Sequence, residues 1–119
     1  MSLLSRLFGA PASESASAPR AVEVQEARRR QATGALLIDV RQREEWQQGH
    51  APRAILIPLG SLGSRLDEVP RDREVLLNCR SGNRSGSAQR QLMQLGYERV
   101  FNVSGGMNAW ARVGLPVER

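Results

Sequence analysis

The 119-residue chain is 40 % hydrophobic and holds one cysteine, enough for a single domain with a modest core and too few thiols for an internal disulfide. Its formal charge is +5, from 17 basic and 12 acidic residues, and every basic residue is arginine. Aromatics at 4 % and scattered basic residues give no stacking platform for nucleic acid, and no run approaches the roughly 18 apolar residues of a membrane span. Coding bias is the plainer account of an arginine-only basic set. Anion handling is the functional one, since guanidinium grips sulfur and phosphorus oxyanions in a fork.

The opening "MSLLSRLFGA" is broken by Arg6 before it becomes a secretory signal. With a lone cysteine, this predicts a reducing, cytoplasmic setting without firm membrane association. Residues 1–20 read as a tail. Its "PASESASAPR" (Pro11 to Arg20) is Ala/Ser/Pro-rich and linker-like, and "SLLSRLF" is an apolar-sided stretch too short for a stable isolated helix. A dock for a partner or a membrane surface is the alternative reading of that stretch.

The domain is expected over 21–119. "AVEVQEARRRQATG" sets Val24 and Ala27 at helical spacing and stops at Gly34, with "ARRRQ" as a solvated face. "ALLIDV" (Ala35 to Val40) is a continuous apolar run, the pattern of a strand covered on both faces. "RQREEWQQG" predicts a helical turn with Trp46 facing inward, and "AILIP" (Ala54 to Pro58) a second strand. "SLGSRLDEV" offers Leu62, Leu66 and Val69 at helical intervals behind a Ser61 cap. "EVLLNC" (Glu74 to Cys79) is the third apolar strand. A helix follows with Ala88, Leu92 and Leu95 on one face and Gly96 as its stop. "RVFNV" (Arg99 to Val103) is the fourth strand, and "GGMNAWARVG" a closing helix that buries Trp110. Strands alternating with helices predict an α/β fold, a largely parallel sheet with helices on both faces. Such sheets bind ligands at the carboxyl ends of their strands, where Cys79 falls.

A lone cysteine is by default a small buried hydrophobe. In "LLNCRSGNRSGSA" its neighbours are polar and small, and they lead into a helix whose first amides point back at the preceding loop. Ser81, Asn83 and Ser85 supply further polar groups. Gly82 permits the tight turn that gathers amides into an anion nest. Arg80 and Arg84 add positive charge. Each effect favours thiolate over thiol, which makes Cys79 a candidate nucleophile that needs no histidine base.

This loop resembles the active-site loop of the rhodanese, or thiosulfate sulfurtransferase, family. "LLIDVRQREEWQQGHAPRAILIP" and "GYERVFNVSGGMNAW" resemble that family's remaining signatures in the same order, over about Ala21 to Pro116. The resemblance implies a rhodanese-like domain with a sheet of four to five strands. It implies sulfane-sulfur transfer from thiosulfate or a persulfide donor, through a Cys79 persulfide, to cyanide, a thiol or a protein. No metal and no cofactor beyond that covalent persulfide is implied. Arg80 and Arg84 would orient the donor's oxyanion, or else project outward and leave the work to backbone amides. Related phosphatases carry a longer loop with arginine six residues after the cysteine. Arg84 stands five after Cys79, which resembles the sulfurtransferase type. A sulfur-carrier module with little small-molecule turnover is the competing reading.

Asp39 is expected as support, paired with an arginine such as Arg41, and Glu45 as the partner of a loop arginine. Adjacent Glu44 points elsewhere on a short helix. His50, the only histidine, is expected to hold a turn. Gly105 and Gly106 are expected to let the backbone approach the active loop closely. Arg53 stands where the family often has glycine, at a position that needs positive φ in some relatives.

Overall fold

The computed structural model describes residues 18–119. Five strands form one sheet: β1 (Arg20–Val22), β2 (Leu36–Asp39), β3 (Ile55–Leu56), β4 (Val75–Asn78) and β5 (Val100–Val103). Their order is β1-β5-β4-β2-β3, and every pairing is parallel. The helices are α1 (Val24–Ala32), α2 (Arg43–Gln48), α3 (Asn83–Gln94) and α4 (Gly106–Arg112).

The apolar runs became strands because both sheet faces are covered. One face packs Ile38, Val75, Leu77 and Val100 against Ala88 and Leu92 of α3 and against Leu62. The other packs Leu37, Leu76, Phe101 and Val103 against Val24 and Ala27 of α1 and Met107 and Trp110 of α4. All four residues of β4 are buried, as befits the central strand. The expected α/β architecture, with helices on both faces, is what the chain forms.

Four expectations are corrected. Arg20–Val22 is a strand where a tail and a helix start were read; it pairs with β5 in the register Arg20↔Phe101 to Val22↔Val103. α3 ties this edge down, since Gln89 Nε2 donates to the carbonyls of Arg20 at 2.6 Å and Val100 at 3.2 Å. Ser61 to Val69 is not one α-helix but two 3-10 segments, Leu59–Ser64 and Leu66–Glu68, with Ser61 inside the first rather than capping it. Gly60 and Gly63 weaken helix propagation there. Leu62 and Val69 are nevertheless buried as their spacing required. Leu95, assigned to the buried face of α3, is 45 % exposed because the helix ends one residue earlier. Trp46 is half-buried rather than a core residue.

The sheet order also locates a crevice. From β2 the chain leaves toward β3, and from β4 it leaves toward β5, in opposite directions. Adjacent parallel strands whose connections diverge open a gap at their carboxyl ends, where ligands bind in such sheets. Cys79 is the first residue beyond β4, on the rim of that gap.

Candidate active site

Three residues, Arg80 to Gly82, separate Cys79 from α3. Gly82 turns the chain with φ of 110°, a left-handed conformation at the N-cap of α3 that side-chain-bearing residues rarely adopt. The turn aims the Gly82 amide at the sulfur, with N to Sγ at 3.0 Å. One turn into α3, the buried Ser85 directs its hydroxyl at the same atom, Oγ to Sγ at 3.2 Å. Burial pushes the Cys79 thiol up. The Ser85 hydroxyl and the amides of Ser85, Gly82 and Ser81 pull it down, and the net shift is downward. The donors expected from the loop's composition therefore converge on one sulfur. Asn83 opens α3 on the exposed side, and the Ser81 side chain is also exposed.

Asn102, on β5, completes this arrangement and was missed in the sequence, where it reads as one polar residue in an apolar strand. Its position near the strand's carboxyl end was the available signal. Its Nδ2 donates to the Gly82 carbonyl at 3.1 Å, and its Oδ1 lies 2.6 Å from Ser85 Oγ. A carbonyl only accepts, so the amide nitrogen must face Gly82 and the amide oxygen must face Ser85. The single Ser85 hydroxyl proton thus lies between two acceptors, Asn102 Oδ1 and Cys79 Sγ. A sulfur anion draws that proton toward itself, and a neutral thiol leaves it to Asn102.

Of the two loop arginines, Arg84 is the one that takes the Glu45 partner anticipated in the sequence. Arg84 meets Glu45 in a two-pronged ion pair, with Nη1 to Oε1 at 2.7 Å and Nη2 to Oε2 at 2.8 Å. Glu45 comes from α2, after β2, and Arg84 from α3, after β4, so the pair bridges the two elements that diverge at the crevice. The Arg84 hydrogen bonds hold the Glu45 carboxyl at about 2, against burial and with help from the Gln42 amide. Arg80 is exposed, and its carbonyl accepts from the Asn108 amide at 3.0 Å. Hydroxyl and amide donors lead the downward shift of the thiol.

Asp39 and Arg41 form a buried unit to one side. Arg41 Nη2 donates to Asp39 Oδ2 at 2.8 Å and to the Gly49 carbonyl at 2.8 Å, which fixes the entry and exit of α2. The pairing of Asp39 with Arg41 is the one expected from the sequence. His50 also does what was expected of it: Nδ1 bonds the Trp46 carbonyl at 2.8 Å, and its ring stacks on Trp46 with centroids 3.6 Å apart. Glu44 is exposed on α2.

The start of α4 braces the loop from behind. Met107 N donates to the Cys79 carbonyl at 2.8 Å. A Cβ on Gly106 would stand 2.7 Å from the Arg80 carbonyl carbon, a clash with backbone, so only glycine permits this approach. Among the described residues, no group of three or more His, Cys, Asp or Glu side chains is placed to hold a metal ion.

Comparison with known proteins accords with this architecture. The family model for the rhodanese-like domain matches residues 23–113. A sulfurtransferase of Allochromatium vinosum is 49 % identical over 82 residues, covering 69 % of this chain and 77 % of that protein. A putative sulfur carrier protein of Bacillus subtilis, YrkF, is 38 % identical over 74 residues, or 62 % of this chain; the match spans only 40 % of that longer relative. A crystal structure of a rhodanese-related protein from Thermoplasma volcanium superposes with a TM-score of 0.77 at 29 % identity, covering 83 % of this chain and 97 % of that one. With a match running from the threshold of α1 to just past α4, the chain belongs to the rhodanese-like domain family of sulfurtransferases and sulfur carriers.

Proposed function

We propose that this protein is a sulfurtransferase that works through a persulfide on Cys79. The observation that carries the reading is the convergence of the Gly82 amide and the Ser85 hydroxyl on Sγ, at 3.0 and 3.2 Å. The Cys79 thiolate attacks the outer sulfur of thiosulfate or of a persulfide. A new sulfur–sulfur bond forms, the donor's own breaks, and its electron pair leaves with sulfite or a thiolate. An acceptor nucleophile (cyanide, a thiol or a protein thiol) then attacks the outer sulfur of the Cys79 persulfide and restores the thiolate. No net electrons are exchanged with the protein and no cofactor is required.

The loop is suited to both anions. Its amides and the Ser85 hydroxyl satisfy the sulfur before transfer and the persulfide after it, without reorganising solvent. Cys79 is only 1 % exposed, which suits transfer of a single atom better than reaction with a bulky electrophile. A phosphatase would need a free arginine fork for phosphate, and Arg84 is occupied by Glu45. A cytoplasmic setting belongs to the same proposal, because the thiol must stay reduced between turnovers.

Intact mass spectrometry of the protein treated with thiosulfate and with an organic persulfide tests the reading. One added sulfur on Cys79, absent in Cys79→Ser, is expected, together with thiocyanate formation when cyanide is supplied. Failure of every donor to sulfurate Cys79 overturns it. The similarity to a putative sulfur carrier favours a second reading, in which sulfur passes mainly to a protein acceptor. Rapid exchange with such an acceptor alongside slow cyanide turnover would single it out.

A further inference from the structure

We propose that Glu45 sets the choice of sulfur donor: by cancelling the charge of Arg84 at the crevice, it disfavours the thiosulfate dianion and leaves the site to organic persulfides. The proposal rests on the sulfurtransferase reading above and refines it.

The two donors make different demands. Thiosulfate brings two negative charges and a sulfonate end whose three oxygens need donors of their own. An organic persulfide anion concentrates one charge on the sulfur to be transferred, and its carbon end is satisfied by neutral surroundings. The donors aimed at Sγ serve the transferred sulfur, which both substrates present. Discrimination therefore depends on what meets the other end.

For that end the site offers little free positive charge. Both terminal nitrogens of Arg84 are taken by the two Glu45 oxygens, at 2.7 and 2.8 Å. Arg41, 5 % exposed, is spent on Asp39 and the Gly49 carbonyl. Arg80 is exposed, where water and salt screen its pull on a dianion. Arg84 itself is within electrostatic reach of the sulfur. Its guanidinium is held above its ordinary value first by the Glu45 hydrogen bond, against burial, and then by the charges of Glu45, Cys79 and Asp39. Removing the Glu45 charge thus exposes a positive group that the reacting centre feels.

Glu45→Gln isolates that charge. Glu45 is the N3 residue of a capping box on α2, accepting from the Gln42 amide at 3.1 Å. Glutamine serves equally at N3, and its oxygen still accepts from Arg84, so the helix start and most of the contact survive. The experiment measures kcat/KM for thiosulfate and for the persulfide of 2-mercaptoethanol, whose carbon end is uncharged, at low and at moderate ionic strength. The ratio of thiosulfate to persulfide is expected to rise roughly 3- to 30-fold in Glu45→Gln, mainly through a lower KM for thiosulfate, as one unit charge at crevice distances allows. Added salt should shrink the gain. The double variant Glu45→Gln/Arg84→Gln, in which the pair is neutral again, should return the ratio to near the wild-type value.

A ratio that stays level or falls in a folded Glu45→Gln protein overturns the proposal. So does a double variant whose ratio drops tenfold or more below wild type, because Arg84 would then grip the oxyanion despite its partner. The double variant decides the matter even where the single variant folds poorly. If neither donor adds sulfur to wild-type Cys79, the sulfurtransferase reading itself fails, whereas active enzymes with an unmoved ratio remove only this inference.

Discussion

Hydroxyl and amide donors make a thiol acidic only if they are held at the sulfur, and here the holding is done by neighbours that never touch it. Asn102 positions both the Gly82 carbonyl and the Ser85 hydroxyl. Ser85 contributes the foremost of the effects that lower the Cys79 thiol, so Ser85→Ala should raise the midpoint of alkylation rate against pH toward that of an ordinary thiol. An unchanged midpoint would assign the shift to the amides alone. The Glu45–Arg84 pair makes a separate prediction about stability. The folded carboxyl sits at about 2, below the ordinary value of 4.5. Its contribution is therefore complete above about pH 5 and vanishes as pH falls toward 2. Partial exposure limits it to about 1 kcal/mol. Urea midpoints of wild type and Glu45→Gln should differ at pH 7 and draw together as pH falls through about 2.

Turns and short elements carry the chain's local conflicts. "APRA" closes a turn in which the Ala54 amide donates to the Ala51 carbonyl at 3.3 Å, with Arg53 in third place at φ of 64°. That place in a turn with proline second calls for glycine, so Arg53 holds a left-handed conformation at a cost. The arginine side chain is exposed, so replacing it removes no packing. Arg53→Gly should stabilise the fold by about 0.5–1 kcal/mol, the left-handed penalty relieved less the added freedom of the unfolded chain. A rise of a few degrees in Tm checks this. The short β1 was hidden in the sequence because "RAV" has one buried residue, Val22, and runs directly into helical spacing. Its strand character comes wholly from β5. The 3-10 segments were read as helix because Leu62, Leu66 and Val69 satisfy that spacing, while Gly60 and Gly63 weaken it.

The whole molecule is organised around β4, packed on both faces and flanked by β5 and β2. Leu77 is fully buried among Ile38, Val40, Ala88 and Leu92. Truncation to alanine leaves a cavity between sheet and α3, and Leu77→Ala should cost about 2–5 kcal/mol. Against the 5–15 kcal/mol typical of a domain, that loss is expected to lower Tm by more than about 10 °C. Cys79 follows two residues later, so the same packing that stabilises the sheet also fixes the sulfur. Among the described residues no helix is long and apolar enough to cross a membrane.

By itself the sequence determined the alternation of strands and helices, the loop that carries Cys79, and the glycines around it, because apolar periodicity and turn chemistry act over a few residues. Tertiary structure decided the rest. It made a strand of Arg20–Val22 by pairing it with β5, and brought Asn102 to Ser85 and Gly82. It also selected Arg84, of the two loop arginines, for the partnership expected of Glu45, 39 residues away. Each of these is a contact between distant segments, whose energy depends on where the sheet order puts them and leaves no local pattern to read.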